Sequence, residues 1–142
     1  MTPDVNVLVA AFRADHPHHV AASRWLGERV AEGTPLTVVP LVAAAVLRLV
    51  TSRRVFPDPA PTALAVAFID ALLAQPGTRW AAARDEWGTL RGLCLEHRLA
   101  GNGLPDAWLA ATVIGLGERL VTFDAGFRRL LPRRQLTILP VS

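Results

Sequence analysis

Short apolar runs alternate with longer amphipathic ones along nearly the whole chain. A β-branched run from Val5 to Val9 predicts a strand leading into a short helix, and His18 to Val30 predicts a helix ended by Gly33. Leu36 to Val39 reads as a short strand, followed by a helical run from Leu41 to Thr51. Thr62 is the predicted cap of a helix carrying Leu64, Phe68, Ile69, Leu72 and Leu73, stopped by Pro76-Gly77. Arg79 to Ala82 predicts a weak strand, and Asp85 to His97 a helix with Asp85 and Glu86 in its first turn. Pro105 and Asp106 open a further helix that Gly115 and Gly117 end. Arg119 to Phe123 is the clearest strand, and Leu136 to Leu139 the last. Strand and helix in alternation predict an α/β domain with a parallel sheet and helices on both faces.

The length of 142 residues suits one domain, with no repeat or low-complexity linker; the prolines from Pro57 to Pro61 read as a connecting loop. Apolar residues make up 51% and charged ones 19%, so the chain can bury a core and is not a disordered segment. Fifteen basic residues against twelve acidic leave +3, and every one of the fifteen is arginine; lysine and tyrosine are absent. Few groups then titrate between histidine and arginine, which carries the pI to 10.9 on a modest charge. The pI therefore identifies no nucleic-acid partner. Without lysine, Schiff-base chemistry, a P-loop and a kinase-type site are excluded. One cysteine, Cys94, allows neither an internal disulfide nor a cysteine-rich zinc site, and a reducing, cytoplasmic setting is expected. The longest apolar stretch, Val38 to Leu47, is too short to span a membrane and contains Pro40, and Asp4 argues against a signal peptide.

In an open parallel sheet the site lies beyond the carboxyl ends of the strands. Three aspartates map to that rim: Asp4 on the first strand, Asp124 directly after the strand ending at Phe123, and Asp106 at a helix start after the Gly101 to Leu104 loop. Gathered carboxylates repel one another, and oxygen ligands select a hard cation such as Mg²⁺ or Mn²⁺. Each acid also has a plainer reading, Asp106 as a helix-start acid and Asp124 as the opening of a helix or turn.

Four segments occur in register: Asp4-Val5-Asn6-Val7-Leu8, Leu47-Arg48-Leu49-Val50-Thr51 with Arg54-Val55-Phe56, Gly101-Asn102-Gly103-Leu104-Pro105-Asp106-Ala107, and Leu120-Val121-Thr122-Phe123-Asp124. Together they resemble the PIN-domain nucleases, in particular the VapC-type toxins of prokaryotic toxin–antitoxin modules. The resemblance implies a three-layer α/β/α domain over residues 1–142 that hydrolyses RNA with Mg²⁺ or Mn²⁺ and is held inactive by a cognate antitoxin. It implies Asp4, Asp106 and Asp124 as metal-site acids, with Asn6, Asn102 and Thr122 as the polar residues orienting them. The chain departs from the family pattern at two places. No Asp or Glu occurs between Glu32 and Asp58, so Val39-Pro40-Leu41 stands where relatives carry an acid, and Gly126 stands where a second acid often follows the one at Asp124. Three carboxylates suffice for one Mg²⁺ with waters and substrate phosphate, while a two-metal site is disfavoured. Glu86 is a weak candidate for the missing acid.

Arg128 and Arg129, just after Asp124, are candidate phosphate contacts; Arg53-Arg54 and Arg133-Arg134 are the other dense pairs. His16, His18 and His19 around Pro17 read as the exposed start of a helix rather than a metal clip. Trp25, Trp80, Trp87 and Trp108 are spread over different elements and read as core or interface anchors. Ser23 and Cys94 lack triad neighbours, so no covalent nucleophile is expected. Apolar helices suggest a homodimer and an antitoxin groove. The readings in order are a metal-dependent endoribonuclease toxin, a catalytically weakened PIN-like module acting by RNA or antitoxin binding, and a Rossmann-type oxidoreductase, which lacks any GxGxxG turn.

Overall fold

The computed structural model describes residues 1–141. Strand β1 is only Thr2–Pro3, and helix α1 follows at once over Val5–Phe12. The Val5 to Val9 strand expectation is thus corrected to helix. Alternating valines favour a strand locally, but Val7, Leu8, Val9 and Ala10 are all buried, and a helix immersed on most sides shows no amphipathic stripe. Asp4, extended at φ −72° and ψ 163°, is the cap of α1 rather than part of a strand. Helix α2 (His19–Ala31), strand β2 (Leu36–Val38) and helix α3 (Pro40–Val50) lie close to expectation.

Helix α4 spans Thr62–Leu73, but Pro61 occupies the cap position and Thr62 makes no capping bond. Strand β3 is Thr78–Trp80, two residues shorter at its end than the sequence suggested. Helix α5 begins only at Trp87 and runs to His97; Asp85 and Glu86 precede it, Asp85 in the left-handed region at φ 52°. Helix α6 starts at Gly103, two residues before Pro105, and ends at Leu116 with Gly117 left-handed at φ 64°. A proline is tolerated there because the first N–H groups of a helix have no intrahelical acceptor. Strands β4 (Leu120–Thr122) and β5 (Leu136–Ile138) are joined through two short 3₁₀ turns, Ala125–Arg129 and Arg133–Gln135.

All ladders are parallel: β1 and β5 flank β4, and β2 pairs with β3. The Thr37 N–H donates to the Met1 carbonyl at 2.8 Å, which sets β2 beside β1 and gives the order β3-β2-β1-β4-β5. The chain moves outward from β1 to β3 and then returns across to β4, so right-handed crossovers place helices on both faces. The core is built from side chains such as Leu8, Leu36, Val46, Val113, Leu120 and Phe127, none more than 2% exposed. No helix among the described residues is long and apolar enough to cross a membrane. The reversal between β1 and β4 is the switch point at which a crevice opens beyond the strand ends.

Candidate metal and active site

The crevice is occupied by side chains that β1, β4 and α6 deliver from opposite ends of the sequence. Asp4 follows β1, Asp124 lies two residues beyond β4, and Asp106 sits in the first turn of α6. All three line one cavity of about 430 Å³ together with Asn6, His16, Arg48 and an apolar wall. The three-aspartate convergence expected from the sequence is therefore what the fold places around one space.

Asp4 is the buried member, 6% exposed. One carboxylate oxygen, Oδ1, accepts the Val5 N–H at 2.6 Å, and Oδ2 accepts the Thr122 hydroxyl at 2.6 Å. Burial pushes its proton affinity up to about 6, the two hydrogen bonds work against that shift, and the charges of Asp106 and Asp124 add to it. Burial and Asp124 likewise raise Asp106, with Arg129 opposing them. Asp124 caps the first 3₁₀ turn, its Oδ1 accepting the Gly126 N–H at 2.7 Å. A Cβ at residue 126 would meet that oxygen at 2.9 Å, so glycine suits the capping rotamer.

Thr122 joins these parts. Its hydroxyl donates to Asp4 and accepts from Asn6 Nδ2 at 3.0 Å and from the Asp124 N–H at 3.0 Å, which uses its full hydrogen-bonding capacity. Asn6 Oδ1 in turn accepts the Phe123 N–H at 3.2 Å. Thr122 thus bonds the Asp4 carboxylate directly, and Asn6 reaches it through Thr122. Asn102 does neither: it is exposed at the start of α6, makes no capping bond and does not line the cavity. The cause is the early start of α6, which puts a full turn between Asn102 and Asp106.

The arginine pair is divided. Arg129 is near enough to lower the proton affinity of Asp106, whereas Arg128 lines a separate depression with Arg133. Glu86 is committed elsewhere, accepting Trp108 Nε1 at 2.8 Å and the Thr112 hydroxyl at 3.3 Å. Where the resemblance led to the expectation of a further acid, α3 starts on Pro40 with Val39 as its cap, and Leu41 lines the cavity. Sequence reasoning passed over His16 and Arg48 as site residues. Arg48 lies in the quoted Leu47 to Thr51 segment, and its basic charge amid an apolar helix was the available signal; His16 carried none beyond being one of three histidines.

Among the described residues no three His, Cys, Asp or Glu side chains close into a ready-made metal cage. Both oxygens of Asp4 already accept hydrogen bonds, and Asp124 uses one oxygen as a cap. Burial and neighbouring carboxylates raise the proton affinity of Asp4 and Asp106, a setting that suits a hard cation held by one or two carboxylates with water in its remaining positions. The donor set fits a hard divalent cation.

Fold and site together define an α/β domain with a carboxylate centre at the switch point of its sheet. The chain belongs to the PIN-domain family, whose model matches residues 1–130. It is similar to the ribonuclease VapC31 of Mycobacterium tuberculosis, 40% identical over 140 residues covering 94% of both chains. It is also similar to the ribonuclease VapC25 of that organism, 39% identical over the same share of both. The fold matches a chain in the crystal structure of VapBC2 from Rickettsia felis bound to a DNA fragment from their promoter, with a TM-score of 0.69, 17% identity and 98% of both chains covered.

Proposed function

We propose that the protein is the toxin of a VapBC-type toxin–antitoxin pair and hydrolyses phosphodiester bonds of RNA as an Mg²⁺- or Mn²⁺-dependent endoribonuclease. The observation that carries this reading is the gathering of Asp4, Asp106 and Asp124 around one cavity at the switch point. A bound divalent cation would neutralise charge on the phosphoryl oxygens and make a water acidic enough to attack. Asp4 and Asp106 would hold it, Asp124 completing the acidic wall. Thr122 and the Val5 N–H fix the Asp4 carboxylate in one orientation, and Asn6 fixes Thr122. Arg129, near Asp106, and Arg48, which lines the same cavity, supply positive charge for the substrate phosphates.

The named relatives support ribonuclease activity, and VapBC2 supports an antitoxin partner. An apolar groove lined by Leu41, Trp87, Leu90, Leu104 and Trp108 beside the site also supports a protein partner. Cytoplasmic action and a homodimer complete the proposal, the latter supported by exposed Leu64 and Val66 on α4. A weakened module that binds RNA without cutting it is the second reading, favoured by the absence of any acid at the start of α3.

The test is Mn²⁺-dependent cleavage of single-stranded RNA by the wild type and by Asp4→Asn with Asp106→Asn. Loss of cleavage in a folded double variant is expected. Equal cleavage by both proteins overturns the assignment, and RNA binding without cleavage by the wild type favours the second reading.

A further inference from the structure

We propose that the apolar wall of the cavity is a subsite for one unpaired nucleobase of the RNA, with Phe56 as its stacking face and His16 as the donor that reads the base. This rests on the ribonuclease reading above and goes beyond it to a determinant of where the RNA is cut.

The cavity is lined by two kinds of side chain. Asp4, Asn6, Asp106 and Asp124 are polar and suited to a phosphate and its cation, while Leu41, Leu49, Val55 and Phe56 are apolar. Phosphodiester hydrolysis has no use for an apolar surface. A base flanking the scissile phosphate does, because unpaired bases are held by stacking and by hydrogen bonds along their edges.

Phe56 lines the cavity and is packed from outside it. The Arg13 guanidinium lies 4.2 Å from the ring centroid, yet Arg13 is not among the residues lining the cavity. Arg13 also binds both Asp15 oxygens, at 2.8 and 2.6 Å, and the Asp58 carbonyl at 2.8 Å. It therefore ties the turn after α1, which carries His16, to the loop after α3, which carries Val55 and Phe56. The two cavity-lining segments are thus joined through one side chain that is only 10% exposed.

His16 is fixed as a neutral donor by its own neighbours. Its Nδ1 accepts the His18 N–H at 3.0 Å, so the neutral ring carries its proton on Nε2. Among the described residues Nε2 has no hydrogen-bond partner. Burial, with the neighbouring His18, lowers the proton affinity of His16 and favours that neutral form. The His18 ring rests on Phe123 at 5.0 Å between centroids, and the Phe123 N–H is bound by Asn6, which anchors the histidine turn to the catalytic end of β4. An Nε2–H on a side chain that lines the cavity matches a carbonyl oxygen or ring nitrogen on a base edge.

Fluorescence anisotropy with A₄, C₄, G₄ and U₄ tetranucleotides and an abasic tetranucleotide, in EDTA, tests the proposal. The wild type should bind at least one sequence roughly tenfold more tightly than the abasic strand, the usual size of base–aromatic stacking. Phe56→Ala and the better-packed Phe56→Leu should both lose that gain. His16→Ala should erase the differences among the four bases, with His16→Gln, which keeps a donor, restoring part of them. In cleavage assays His16→Ala should flatten the preference at cut sites, with KM rising more than kcat falls. Wild-type affinity equal for abasic and natural strands, or unchanged preference in both His16→Ala and Phe56→Leu, overturns the subsite. A protein that prefers one base but cuts no RNA refutes the ribonuclease reading and leaves the subsite standing.

Discussion

Replacing Asp4 by asparagine should separate what the site costs the fold from what it does for catalysis. The Asp4 carboxyl ionises near 3.8 in an unfolded chain and at about 6 in the folded one, because burial and two neighbouring carboxylates disfavour its charge. The folded state therefore binds the Asp4 proton more tightly, and wild-type stability is greatest below the unfolded value and lost as pH rises through the folded one. At about 1.4 kcal/mol per tenfold change in proton affinity, the whole effect is about 3 kcal/mol. The substituted asparagine carries no charge and escapes that loss. Its amide nitrogen faces Thr122 or Val5, and this mismatch costs about 1–3 kcal/mol at every pH. The constant offset cancels when two pH values are compared. Between pH 4.5 and 7.5 the stability of Asp4→Asn relative to wild type should rise by about 2 kcal/mol. Urea denaturation in EDTA at both pH values measures it, the slopes confirming comparable unfolding. The shift at His16 is common to both proteins and drops out. A relative stability that stays flat or falls across that range would refute the idea that Asp4 is a desolvated carboxylate. The same variant should lose Mn²⁺-dependent cleavage.

Thr122→Val removes one donor and two acceptor contacts from a fully buried hydroxyl and should cost about 2–4 kcal/mol at pH 7.5. It should also raise the Asp4 carboxyl above its wild-type value, read by a carbon NMR titration of that carboxyl; an unchanged titration would dissociate Thr122 from Asp4. Arg129→Gln should weaken RNA binding and reduce its salt slope by about one, whereas Arg128→Gln, on a separate depression, should alter cleavage little. Anisotropy across a salt series distinguishes them, and equal effects would contradict the division of the pair.

Much of the site was legible because its acids fall at positions with local chemistry of their own. Asp124 follows the strand expected from Arg119 to Phe123, and Asp106 opens a helix, so both could be placed on the rim before any packing was known. Asn102 was misplaced because Gly103 and Leu104 enter α6 ahead of Pro105, a choice made by helix geometry that leaves the early N–H groups free. Thr62 and the Asp85-Glu86 pair failed for a related reason: capping chemistry allows several starts, and the surrounding packing selects one.

By itself the sequence determined an α/β chain with a parallel sheet, no lysine chemistry, and three aspartates, two beside strands and one in the first turn of a helix. Alternation and residue type are local properties, and they survive any details of packing. Only the tertiary structure decided that Val5 to Phe12 is a helix, since burial on nearly every side overrides the β-branched pattern. Only it separated Arg129 from Arg128 and brought His16, Arg48 and Phe56 to the cavity, because these depend on how distant elements pack around the switch point. The elevated proton affinity of Asp4 belongs to the same category. Desolvation and the approach of Asp106 and Asp124 arise from segments more than a hundred residues away, and no window along the chain contains them.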